Sequence, residues 1–268
     1  MNLDRRTRQL LKQYKISPRK KLGQNFMIDE SYLQDMASQA FLNKSDIVLD
    51  IGAGFGALTK ILSPLCCKVI AVEIDHKLAE AYRNEKQGSE NVILIEGNVL
   101  KTDIPTFDKV VSNPPFHISS PILFWLFERK FDLAIMTFQK EFAERLAAAI
   151  GSKDYSRLTV ETYYRAEVEL LEAVPKDAFV PPPDVDACIV RLTPRKKPPF
   201  KVKNEELFHE LIRALFTQRN KKTRNAAAGF LLKLGKRKEE ANSLLFHNKR
   251  VRELAPEDFG EIANELIA

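Results

Sequence analysis

The chain has 268 residues, 44% of them hydrophobic, which is enough for one full domain with a packed core plus a small appendix. Its net charge of +6 is unevenly spread: residues 195–252 hold 17 Lys and Arg against 5 Asp and Glu, residues 1–21 hold 8 against 1, and the rest is acidic. No apolar run reaches the roughly 18 residues that cross a bilayer, residues 1–21 lack an apolar leader core, and three cysteines and four histidines show no metal-ligand spacing. A membrane protein and a zinc enzyme are thereby disfavoured. A cytoplasmic protein with reduced Cys66, Cys67 and Cys188 is expected.

After the basic segment 1–21, the first element with a chemical signature is the apolar strand Ile47–Ile51. It runs into a turn with Gly52, Gly54 and Gly56 and then a helical stretch, 57–65. Glycine lets backbone approach a ligand closely, and the junction resembles a dinucleotide fingerprint. The spacing differs, however: it is G-x-G-x-G, with Ala57 where the last glycine would fall and Asp50 at the turn. That pattern suits S-adenosylmethionine, whose amino-acid end needs hydrogen-bonding groups and no pyrophosphate cradle. A second strand, 68–72, leads into Glu73-Ile74-Asp75, about 20 positions beyond the turn, where a carboxylate binds ribose hydroxyls. A third strand, 92–95, ends at Glu96-Gly97-Asn98-Val99, suited to the edge of a cofactor adenine. A fourth, 109–112, delivers Asn113. These sets fall at the carboxyl ends of successive strands, where open α/β sheets bind ligands.

Asn113-Pro114-Pro115-Phe116 supplies the reactive chemistry. An exocyclic amine on a base is a poor nucleophile because its lone pair is delocalised into the ring. The Asn113 side-chain oxygen and the Pro114 carbonyl can accept from its two hydrogens. The prolines, with fixed φ and no N–H, keep the acceptors aimed inward. Phe116 offers a stacking face worth roughly 1–3 kcal/mol to a base drawn out of its helix. His117 adjoins the turn, yet no base is needed, since the amine loses its proton to water after attack. Farther on, a strand near 131 and a hairpin edge, 159–163 with 186–192, complete a largely parallel doubly wound sheet. The proline-rich, charged segment 194–199 reads as a stiff linker. Stretches 205–216, 226–234 and 256–267 read as short amphipathic helices.

Together these stretches resemble the small-subunit ribosomal RNA adenine N6-dimethyltransferases over nearly the whole chain. Lys20-Lys21-Leu22-Gly23-Gln24-Asn25-Phe26-Met27 is similar to the family's N-terminal motif, which closes over the methionine part of the cofactor. The resemblance implies cofactor contacts from Gln24, Asn25, Met27, Asp50, Gly52, Gly54, Gly56, Glu73, Ile74, Asn98, Val99 and Asn113, with Asn113, Pro114 and Phe116 catalytic. There are two departures. Asn98 stands where the family has Asp, so the contact loses its charge, and Pro114 stands where the family has an apolar residue such as Leu. Pro114 is shared with DNA-adenine and protein-glutamine N-methyltransferases, which remain an alternative, as does a non-catalytic ribosome-assembly factor on the same scaffold. An NAD oxidoreductase is the weakest rival. Phe179, leading a proline-rich loop of the family type, is expected either to clamp the target adenine or to anchor that loop on the core.

Arg219, Lys221, Lys222 and Arg224 lie in Leu215-Phe216-Thr217-Gln218-Arg219-Asn220-Lys221-Lys222-Thr223-Arg224, similar to the basic helix of the small-subunit enzymes. They are expected to grip RNA phosphates. The implied architecture is α/β: a basic extension at 1–21, a Rossmann-like class I methyltransferase domain with a mostly parallel seven-stranded sheet at 22–195, and a helical RNA-binding domain at 196–268. The implied partner is small-subunit rRNA or an immature small ribosomal subunit, and a monomer is expected.

Overall fold

Strands that bury both faces read as continuous apolar runs, and several such runs build the centre of this protein. The computed structural model describes residues 2–85 and 90–267. In chain order the elements are α1 (Leu3–Gln13), β1 (Phe26–Met27), α2 (Glu30–Gln39), β2 (Ile47–Ile51), α3 (Ala57–Leu62), β3 (Lys68–Glu73), α4 (His76–Asn84), β4 (Val92–Glu96), β5 (Lys109–Ser112), α5 (Ser119–Phe127), β6 (Leu133–Gln139) and α6 (Lys140–Leu146). They continue with α7 (Arg157–Arg165), β7 (Ala166–Val174), β8 (Phe179–Val180), β9 (Ala187–Pro194), α8 (Glu205–Phe216), α9 (Thr223–Lys233) and α10 (Pro256–Glu265).

The main sheet has seven strands in the order β4-β3-β2-β5-β6-β9-β7. β4, β3, β2, β5 and β6 run parallel, and β9 returns antiparallel to β6. The order reverses between β2, which pairs with β3 on one side, and β5 on the other. That reversal is the switch point where a crevice opens beyond the strand ends. Two compact units divide the chain, residues 1–143 with 169–194, and residues 144–168 with 195–268. The chain therefore passes between units near residues 143, 168 and 194, the last of these at the expected linker and the second within β7.

The first unit buries Leu33, Met36, Leu62, Val69, Val111 and Ile135 in its core. Its expected helix at 57–65 ends at Leu62 and tightens into a 3₁₀ turn, Ser63–Leu65, in which Pro64 cannot donate to the helix ladder. The basic segment 1–21 is not a loose extension. Leu10 and Ile16 pack with Phe55, Leu78 and Ala81, while Arg6, Gln13 and Tyr14 all bond the Glu85 carboxylate.

In the second unit, residues 159–163 form part of α7, so the expected strand there is corrected. Thr159, Val160 and Thr162 carry strand propensity, but helix-specific bonds override it. The Thr159 hydroxyl accepts from the Ser156 N–H at the helix start, and Glu161 pairs with Arg157 and Arg165 one turn away on either side. Glu161 is 1% exposed. Burial pushes its carboxyl up, but His209 and Arg165 outweigh burial and hold it below the usual range. The core of this unit is built on Tyr155, Phe208, Leu211, Leu215, Phe230 and Phe259.

Candidate active site

All three glycines of the turn after β2 have left-handed backbone, Gly52 at φ 78°, Gly54 at φ 57° and Gly56 at φ 81°, which other residues adopt only with strain. The Gly52 N–H donates to the Val72 carbonyl at 2.8 Å, and the Gly54 N–H donates to Glu73 Oε2 at 2.8 Å. Glu73 Oε1 accepts from the Asp75 N–H at 2.8 Å. One buried carboxylate thus pins the turn to the end of β3. Burial, helped by the Asp75 charge, raises the Glu73 carboxyl above its usual range against backbone hydrogen bonds from Asp75, Gly54 and Ile74.

Gly56 has a different task. Its φ is 81°, and a Cβ there would fall 2.2 Å from the Tyr82 ring, so the position is glycine to admit Tyr82. Gly56 is not among the residues that line the cleft.

Asp50, at the end of β2, is 1% exposed and accepts the Thr59 hydroxyl at 2.6 Å. Burial pushes its carboxyl up to about 7, the Thr59 bond lowers it and the Glu73 charge raises it. A carboxylate this poorly compensated beside a cleft fits a cationic ligand.

The N-terminal motif closes one wall. Gly23 has φ 58°, and a Cβ there would lie 2.6 Å from the His117 ring. Gln24 bridges two elements, its Oε1 accepting from the Arg19 N–H at 2.8 Å and its Nε2 donating to Asp75 Oδ2 at 2.9 Å. Asn25 Nδ2 donates to the Gly23 carbonyl at 3.4 Å. β1 pairs antiparallel with β8, placing Met27 opposite Phe179.

On the far wall, the Asn98 oxygen accepts from the Leu100 N–H at 3.0 Å. The amide spends one lone pair on its own turn and retains the other, together with the Nδ2 donors, for a ligand. β5 delivers Asn113, whose Oδ1 accepts from the Thr137 hydroxyl of β6. A Cβ on Gly52 would lie 3.1 Å from Pro115, so the glycine turn and the Asn-Pro-Pro-Phe turn lie against each other. Phe116 is half-buried, its ring edge-on to Phe179 with centroids 6.0 Å apart.

These groups line one cleft with about 1050 Å³ of empty space, partly open to solvent. Gln24, Asn25, Met27, Asp50, Gly52, Gly54, Glu73, Ile74, Asn98, Val99, Asn113, Pro114 and Phe116 all contribute. Phe179 does not. It is 1% exposed in the core of the first unit, so of its two expected roles the geometry fits the anchor, with Phe116 packed on it.

Two residues of this site escaped the sequence reading. Thr7 of α1 lines the cleft and Thr137 bonds the Asn113 amide, while Asp75, already singled out with Glu73, also latches the N-terminal motif. The i, i+4, i+7 spacing of Leu3, Thr7 and Leu10 was the signal for α1 as a packed helix, and a lone hydroxyl in the apolar run of β6 was the signal for Thr137.

In the second unit, the Arg219 guanidinium donates to the Ser152 and Lys153 carbonyls at 2.8 and 2.7 Å. These two bonds tie Arg219 to the loop at residues 152–153. Lys221 and Lys222 are exposed at the start of α9, while Arg224 is half-buried and donates to Asn248 Oδ1 at 3.1 Å.

Comparison with known proteins agrees with this geometry. The family model for ribosomal RNA adenine dimethylase matches residues 16–268. A probable ribosomal RNA small subunit methyltransferase A of Methanosarcina acetivorans is 46% identical over 248 residues, 91% of this chain and 92% of the relative. Among solved structures, a dimethyladenosine transferase from Plasmodium falciparum superposes with a TM-score of 0.80 at 30% identity, covering 90% of this chain and 97% of that one. The 23S rRNA methyltransferase ErmE gives 0.68 at 28%, covering 91% and 100%. The chain belongs to the ribosomal RNA adenine dimethylase family.

Proposed function

We propose that this protein, an S-adenosylmethionine-dependent rRNA adenine dimethyltransferase by family, acts on the small ribosomal subunit, dimethylating N6 of two adjacent adenines in a hairpin near the 3′ end of its RNA. The observation that carries this reading is Asn113 Oδ1 at the end of β5, in the same cleft as the buried carboxylates Asp50 and Glu73. The names of the relatives 38–46% identical to this chain favour the small subunit as substrate.

The cleft fits the cofactor. Asp50 would face its ammonium group, Glu73 its ribose hydroxyls, and Asn98 and Val99 the edge of its adenine. When bound, the cofactor supplies an electrophilic methyl group. The chain's own residues then prepare the acceptor. Asn113 Oδ1 and the Pro114 carbonyl accept the two amine hydrogens, drawing the nitrogen lone pair out of conjugation, and Phe116 holds the ring. The displaced proton passes to water. Holding donor and amine in line supplies several kcal/mol, up to about 7–11 in well-oriented models. One chain provides every group named, so a monomer suffices. Lys221 and Lys222 at the N-terminus of α9 suit phosphate, because helix N–H groups and the dipole add to their charge.

The test is incubation with labelled S-adenosylmethionine and unmethylated small subunits, followed by mass-spectrometric mapping of modified nucleosides. N6,N6-dimethyladenine at two neighbouring positions is expected. Tight binding without transfer would favour an assembly factor, and transfer only to large-subunit RNA, DNA or protein would replace the proposed substrate.

A further inference from the structure

We propose that Thr137 is a positioning residue for methyl transfer, its hydroxyl fixing the plane of the Asn113 amide; the inference rests on the reading of Asn113 given above. β5 and β6 run parallel in the register Ser112↔Met136, so the next residues along, Asn113 and Thr137, lie side by side where the strands end. Thr137 is 0% exposed, within a strand whose other residues from Leu133 to Phe138 are apolar. On the opposite side of β6 its register partner in β9 is Ile189, which offers no side-chain acceptor.

A hydroxyl buried in such a strand is costly unless it is bonded, and its bond goes to Asn113 Oδ1, 24 positions away in sequence. Threonine suits the task because its β-branched side chain has few χ1 states, so the hydroxyl is held in one direction. Asn113 needs such a partner. It is followed by two prolines that lock the backbone of the turn, but its own side chain retains a rotatable amide. A hydroxyl fixed on one side leaves Oδ1 a second lone pair facing the cleft, where the target amine arrives. Were the amide turned over, the same hydroxyl would accept from Nδ2, and Thr137 would again set the amide plane.

The experiment compares Thr137→Val, which preserves shape without the hydroxyl, and Thr137→Ser, which preserves the hydroxyl, with Asn113→Ala as control. Methyl transfer to small subunits is followed under single-turnover conditions, and cofactor affinity is measured by calorimetry. Thr137→Val is expected to lower the transfer rate about tenfold or more, since small misplacements of a reacting group carry penalties of that order, with cofactor affinity within about twofold of wild type. Thr137→Ser is expected to retain most of the rate.

A Thr137→Val rate within about twofold of wild type, while Asn113→Ala is inactive, would overturn the inference and leave the reading of Asn113 standing. Equal losses in Thr137→Val and Thr137→Ser would also overturn it, because packing and not the hydroxyl would then matter. Activity retained in Asn113→Ala would instead overturn the reading on which the inference rests.

Discussion

Asp50 carries a charge that its protein surroundings compensate poorly. Burial, first, and the Glu73 charge push its carboxyl up to about 7 from 3.8, with only the Thr59 hydroxyl opposing them. Between about pH 4 and pH 7 the folded protein therefore holds a proton that the unfolded chain has released. Its contribution to stability falls as pH rises through that window, by at most about 1.4 kcal/mol per pH unit, and levels off above it. Asp50→Asn removes the charge and keeps the shape. It is expected to raise the Tm of the cofactor-free protein more at pH 8 than at pH 5, and an equal change at both would show that the carboxylate is already compensated. Because a cationic ligand favours the ionised form, cofactor affinity of the wild type is expected to strengthen from pH 5 to pH 7 and then level, a dependence that Asp50→Asn abolishes. Of the residues concerned, Asp50, Glu73 and Asn113 were legible because each ends a strand whose apolar run is unmistakable. Phe179 was not, since a phenylalanine before prolines reads alike whether it faces a base or the core. Thr137 was not, because its meaning depends on which strand lies next to β6.

At the scale of elements, the cleft is assembled by short-range restraints at strand tips. Glu73 ties β3 to the glycine turn, and Gln24 ties the segment before β1 to Asp75 at the cap of α4. Gln24→Ala frees one wall without opening the core, given that Gln24 is only half-buried. It is expected to weaken cofactor binding about three- to tenfold, the range of one or two lost hydrogen bonds, while Tm changes little. A fall in Tm with affinity unchanged would make Gln24 a folding strut and not part of the cofactor wall. The parallel strands were readable as elements because burial on both faces leaves an apolar signature in sequence. α7 was not, because its β-branched Thr159, Val160 and Thr162 imitate a strand, while its helical character depends on Glu161 meeting Arg157 and Arg165 one turn away in either direction.

Across the whole molecule, the uneven charge visible in the sequence gains meaning from where each cation is spent. Arg219 is bonded to the Ser152 and Lys153 carbonyls, whereas Lys221 and Lys222 are exposed and Arg224 leans on a neutral Asn248 side chain. Charge counting cannot separate these cases, because a cation bonded to a carbonyl and one awaiting phosphate are the same letter. Replacing Lys221, Lys222 and Arg224 together with Gln is expected to weaken RNA binding and to lower the slope of log affinity against log salt by about 2, near the value for three lost phosphate contacts. Arg219→Ala is expected instead to lower Tm with little change in that slope. An unaltered slope in the triple variant would assign its cations to solvent.

The central claim is that the Asn113 amide activates the target amine while the cleft supplies position. The measurement that tests it most directly is transfer to unmethylated small subunits by Asn113→Ala, with RNA and cofactor affinities determined on the same protein. A rate at saturating cofactor reduced at least about 100-fold, the scale of losing an acceptor or donor aimed at the reacting group, with RNA affinity close to wild type, is the expected result. Dimethylated adenines formed at the wild-type rate would contradict it.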